Sequence, residues 1–183
     1  MTSLPPPRTA LALLTGITLL AISPRAFADA SPDERAKAAR TAYLHDQRDL
    51  MVALSAWSAG SIALGGVAAL REPDPFPRFA ALQFVAWGLV NGAIVGASFY
   101  SASRAEQLER SEAYWRDERT NLGRVFLINV ALDAAYVAVG SALWAAGKTP
   151  AVRGTGAGIV VQGGFLLVFD SLGGVSIRLG AKR

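Results

Sequence analysis

Four stretches of this chain run for more than twenty residues with one charge or none, and that feature alone leaves few folds open. Residues 50–70 and 79–103 contain no Asp, Glu, Lys or Arg; residues 125–147 contain only Asp133, and residues 154–177 only Asp170. A helix rising 1.5 Å per residue needs about 20 apolar residues to cross ~30 Å of hydrocarbon. A water-soluble helix of that length would carry a charged face instead. The expected fold is all-α, a four-helix transmembrane bundle preceded by a cleavable signal peptide. Its spans fall at about 50–70, 79–101, 125–147 and 156–177, within a single membrane domain over 29–183.

The formal charge of +4 does not change that expectation. The arginines flank the apolar stretches and alternate with Asp and Glu, so no basic stripe forms and nucleic acid is not an expected partner. There is no Cys and only one His, His45. Disulfides, thiolate nucleophiles and a histidine zinc site from one chain are thereby excluded, and no metal or cofactor is expected. Ser is plentiful, but none has a His or Lys at a suggestive spacing. An enzyme is therefore the less favoured class; only an aspartyl-type site on the two acids would serve one.

Residues 1–28 have the pattern of a secretory signal. Arg8 precedes an apolar core at 10–22, Ser23-Pro24-Arg25 breaks it, and Ala26-Phe27-Ala28 fits small-x-small cleavage before Asp29. This predicts a bacterial inner membrane location with the mature amino terminus in the periplasm. Lys and Arg counts in the loops favour the opposite orientation, because the segments placed outside carry more of them.

After the signal, Ser31-Pro32-Asp33-Glu34 predicts a capped helix start that continues into the first span. Three prolines between 73 and 77 make the first connection a tight turn. Residues 104–124 are polar and helical in composition, with Leu108, Trp115 and Leu122 at seven-residue spacing. They predict either an amphipathic segment on the bilayer surface or a solvated helical hairpin. Residues 148–156 read as a loop, and Gly154-Thr-Gly-Ala-Gly158 as a flexible lead-in to the last span; the Gly-Lys of a phosphate loop is missing.

In the second stretch Gly88, Gly92 and Gly96 share a face, where glycine lets two helix backbones approach. The seam is either intramolecular packing or a homodimer contact. Polar residues inside the spans are the better clue to function. Asn129, Asp133, Tyr136 and Gly140 recur at helical spacing, as do Gln83, Trp87 and Asn91, while Gln162, Phe169 and Asp170 share a quadrant of the last helix. Counted from the flanking Arg124 and Arg178, Asp133 and Asp170 lie at a common depth of roughly 12–14 Å, near the level expected for Asn91 and Trp57. Each acid costs about 2.5–3.5 kcal/mol at such a depth. The expected arrangement is a pair sharing a proton, or both neutral, hydrogen-bonded by Asn129, Asn91, Gln162 and Tyr136. Such a layer would bind a cation, a proton or a small polar ligand, in transport or as a transporter accessory. The alternative is an assembly partner in a membrane complex, with the acids as packing glue. The expected surroundings are the lipid bilayer and another membrane protein or a second copy.

Three segments, Trp57 to Gly66, Leu127 to Tyr136 and Gln162 to Asp170, carry a resemblance. On them the chain resembles an uncharacterised family of bacterial membrane proteins with a signal peptide and four spans, over most of the sequence from Tyr43 onward. The resemblance implies the fold and the location, and no activity.

Overall fold

A computed structural model of the chain describes residues 30–180, so the signal expected at 1–28 lies outside the described residues. Helix α1 spans Pro32–Arg71, α2 Pro75–Ala105, α3 Glu112–Ala146 and α4 Pro150–Gly180, and no strand occurs among the described residues. Each of the four is long and apolar enough to cross a membrane.

Local chemistry sets the helix starts. Ser31 Oγ accepts from the Glu34 amide at 3.3 Å while Glu34 Oε2 accepts from the Ser31 amide at 2.7 Å, a complete capping box. Asp74 caps α2 through the Phe76 amide, Ser111 caps α3 through the Tyr114 amide, and Thr149 Oγ1 accepts from the Val152 amide at the start of α4. Proline occupies the first position of α1, α2 and α4, where its missing N–H costs nothing. The Ser31 amide, and after it the Ser31 hydroxyl, hold the Glu34 carboxyl below the usual glutamate range. Because the folded-state value is depressed, this contribution is present above the unfolded pKa and is lost as pH falls through the folded one. The protection of first-turn amides in α1, relative to their intrinsic exchange rate at each pH, is therefore expected to fall on acidification, and to be already low at neutral pH in Ser31→Ala. Equal protection in both proteins would remove the box as the cause.

The last helix begins earlier than the sequence pattern indicated. Residues 150–156 are helical, and the Gly-rich run is not a flexible lead-in but the tightest seam of the bundle. A Cβ on Gly154 would overlap the backbone carbonyl of Phe76 in α2, and one on Gly156 would overlap the α3 backbone at Trp144 and, at 2.6 Å, the Gly140 carbonyl. One on Gly158 would meet Gln83 Cβ at 2.6 Å.

Helix α1 packs on α2 and α3, and α4 on the same two, so the order around the bundle is α1, α2, α4, α3. The pairs α1/α4 and α2/α3 face each other across the diagonals. At the α1/α2 seam Gly65 lies against Ala81 and Phe84, and Gly88 against Ser58 and Ile62. Of the three glycines expected there, Gly88 and Gly92 do meet α1. Gly96 does not: nothing lies within 4 Å of where its Cβ would stand.

At 40 residues α1 is about 60 Å long, so its first half projects beyond any span. The first turns of α3 run beside it. Asp46 accepts from Arg119 Nε at 2.6 Å, Glu112 accepts from Arg35 Nε at 3.1 Å, and Arg40 donates to the carbonyls of Glu106 and Leu108. Trp115 is buried, with its ring 5.8 Å from that of Tyr43. Of the stripe at 108, 115 and 122, two residues thus turn inward, Trp115 to α1 and Leu122 to the core. The polar segment forms the turn between α2 and α3 and a cap shared with α1.

Candidate functional site

The interior of the bundle is mixed and its exterior is apolar, the reverse of a soluble protein. Gln47, Ser58, Ser61, Asn91, Asp133, Gln162 and Asp170 are all buried, while Val52, Leu64, Leu89, Ile94, Ile128 and Leu172 are among the many large apolar residues facing out. The seam of α1 explains the first half of this. Gln47, Met51, Leu54, Ser58, Ser61, Gly65 and Ala69 are its buried residues, spaced alternately by four and three as far as Gly65 and by four from there to Ala69. Small and polar side chains on that seam let the helices close and require partners within the bundle.

Helix α4 fixes the register of the acids. Gly123 sits against Ile177, Gly173 against Phe126 and Gly163 against Val137, which places Asp170 level with Asn129 and Asp133 about one turn deeper. The carboxyls of Asp133 and Asp170 lie against each other, within hydrogen-bonding reach if one is protonated, and the Asn129 side chain stands beside Asp170. Asp133 is 3% exposed and Asp170 5%. Among the described residues neither forms an ion pair. One carboxyl can donate to another only if it bears a proton.

The other residues singled out by pattern are placed differently. Gln162 is fully buried, but it reaches across the α1/α4 diagonal instead of joining the acids. Trp57 Nε1 donates to its Oε1 at 2.9 Å, and its Nε2 donates to Ser61 Oγ at 3.2 Å. The Trp57 ring stacks on Phe165 with centroids 3.8 Å apart, closing a second polar clasp two turns along α4 from Asp170. Tyr136 stands 41% exposed on the flank of α3, with its ring edge-on to Trp87 across the other diagonal at 5.0 Å. The buried seam of α3 runs Phe126, Asp133, Gly140 at seven-residue spacing, and Tyr136, three residues past Asp133, lies about 60° off it. Asn91 is 2% exposed and its Nδ2 has no hydrogen-bond partner.

Two interior groups escape a pattern search. Gln47 sits in a polar part of α1 yet is buried, donating from Nε2 to Ser98 Oγ at 2.8 Å. Its position four residues before Met51 on the buried seam was the available signal. Ser61, on the same seam, is a hydrogen-bond partner of Gln162. Replacing Gln162 with Leu would strand the Trp57 N–H and the Ser61 hydroxyl in the interior, at a cost of about 1–3 kcal/mol. Thermal unfolding in detergent should show the loss, and an unchanged midpoint would mean the clasp contributes nothing.

Four span-capable helices closed around buried carboxyls and amides make a small helical bundle compatible with a membrane protein. The chain belongs to DUF6992, a family of unknown function whose model matches residues 53–171. The match takes in Asp133, Asp170, Asn91, Asn129 and Gln162 and begins after the first half of α1. Neither a curated protein nor a solved structure matches the chain.

Proposed function

We propose that this chain is an integral protein of the bacterial inner membrane whose Asp133–Asp170 pair, with Asn129, takes up and releases a proton or small cation, in transport or as an accessory to a transporter. The observation that carries the reading is the mutual contact of two buried carboxyls without a basic partner. Like charges that close are not both kept in a low-dielectric interior, so the pair needs a positive charge between its oxygens. No other group at that depth provides it: residues 50–70 of α1 and 79–103 of α2 bring no charged side chain, and Asp133 and Asp170 are the only charges within 125–147 and 154–177. The apolar exterior supports lipid as the surroundings, and the exported amino terminus rests on the signal pattern at 1–28.

The test is an ion flux. Purified protein in liposomes should dissipate an imposed proton or sodium gradient faster than empty liposomes, and neutralising either acid should stop it. Gradients that hold equally well with and without the protein, together with no ion-dependent change in its melting temperature, would sink the reading. The competing role, an assembly partner, draws on the ion-paired cap of α1 and α3. It predicts a co-purifying membrane protein that Asp133→Asn leaves bound.

A further inference from the structure

The amide of Asn91 is the observation that neither the carboxyl contact nor the Trp57 clasp absorbs. It is buried to the same degree as the acids, and its Nδ2 lacks any acceptor. Oδ2 of Asp133 is likewise buried and has no hydrogen-bond donor.

The helix register places these two atoms in one layer. Trp87 and Tyr136 meet across the α2/α3 diagonal with ring centroids 5.0 Å apart, and the two helices run antiparallel. From Trp87, Asn91 is one turn further toward the capped end, a rise of about 6 Å; from Tyr136, Asp133 is three residues in the same direction, about 4.5 Å. Both lie on the buried seams of their helices, Gly88–Asn91–Val95 in α2 and Phe126–Asp133–Gly140 in α3. Val95, one turn beyond Asn91, and Leu166, one turn before Asp170, are buried and apolar. A buried donor without an acceptor and a buried carboxyl oxygen without a donor thus fall at one level of the bundle, on two helices that meet at Trp87 and Tyr136.

We infer that Asn91 and Asp133 together hold a water molecule, which makes α2 the third wall of the site and water the species through which the carboxyl pair exchanges its proton. Water accepts from Nδ2 and donates to Oδ2 with one oxygen, whereas a bare metal ion requires oxygen ligands and gains nothing from an N–H. Buried waters satisfy this kind of pair throughout protein interiors. The inference rests on the proposed proton or cation uptake and narrows it to a proton carried by water. Asn91 is in this account a positioning residue that acts through the water.

Infrared difference spectroscopy on the full chain in nanodiscs, stepped in pH and repeated in H2 18O, separates the possibilities. The expected result is a carboxyl C=O band that Asp133→Asn or Asp170→Asn removes, accompanied by a water O–H band that moves with the isotope. Asn91→Leu should abolish the water band and shift the carboxyl band, and Asn91→Ser, which keeps a donor, should retain both even if the leucine variant folds poorly. The natural chain should also melt higher than Asn91→Leu; an amide with no partner at all would instead be dispensable, and the leucine variant would melt at the same temperature or above. A carboxyl band present in the natural chain but unmoved by Asn91→Leu overturns the water and leaves the carboxyl pair standing. A melting temperature raised by sodium, with the rise lost in Asn91→Leu, also overturns it, because the amide would then present its oxygen to a cation. The absence of any titrating carboxyl band removes the proposed function itself.

Discussion

Neutralising either acid, by Asp133→Asn or Asp170→Asn, is expected to bring gradient dissipation in liposomes down to the level of empty vesicles while the protein still inserts and folds. The amide is isosteric with the carboxyl and can still hydrogen-bond its partner, so the stability change should stay within about 1 kcal/mol. What it cannot do is gain or lose a proton. Asp133→Leu should behave differently. It leaves Asp170 with only Asn129 as a partner in the interior, and a buried polar group deprived of its partner costs about 1–3 kcal/mol. The two substitutions separate the readings. If the acids are only packing glue, the Asn variants keep full function and only the Leu variants suffer, through folding. If the pair is the working site, the Asn variants lose function at nearly unchanged melting temperature. Flux that survives in both Asn variants would end the case for the pair.

The second large effect is expected at glycines of α4. Gly154→Ala or Gly156→Ala places a methyl group onto backbone atoms of α2 or α3, where no side chain can swing aside. Overpacking of this kind costs about 1–3 kcal/mol and sometimes more, and here relief requires a whole helix to shift. Both variants should lose much of their folded yield in detergent. Gly96→Ala and Gly164→Ala are the controls, since nothing lies within 4 Å of a Cβ at either position. They should melt at or slightly above the natural temperature, because alanine is the better helix former. If Gly154→Ala and Gly96→Ala melt alike, the tight seam between α2 and α4 does not exist.

These glycines also show where a pattern stops being informative. A row of glycines at four-residue spacing marks one helix face, and Gly88, Gly92 and Gly96 were read as one seam on that basis. Which members of the row meet another backbone depends on how the neighbour crosses, and α1 leaves the row before Gly96. Conversely, glycine alternating at 154, 156 and 158 matches no single helix face and resembles a loop. It becomes a seam because α4 is wedged between two helices: Gly154 and Gly158 face α2, and Gly156 faces α3.

The acids and Gln162 illustrate the same division. Counting residues from the flanking arginines put Asp133 and Asp170 at one depth, and they lie within a turn of each other because α3 and α4 are joined by the short turn at 147–149 and must run antiparallel side by side. The same count cannot say who sits opposite Gln162. Its partners, Trp57 and Ser61, come from the helix diagonally across the bundle, and diagonals are chosen by the packing of all four helices at once. Tyr136 was grouped with Asp133 on a 3.6-residue period, whereas the buried seam follows seven-residue spacing, so the tyrosine falls on the flank.

Composition and spacing along the chain thus dictated four helices, the cap of α1 and the tight turn after it, their capacity to span a membrane, and the presence of two acids where a charge is costly. Those properties depend on each residue's near neighbours in sequence and on the solvent. The order of the helices around the bundle, the seating of α4 by its glycines and the pairing of the amides emerged only on assembly. Each is set by backbones in close approach between segments far apart in the chain, a steric condition that no single helix encodes.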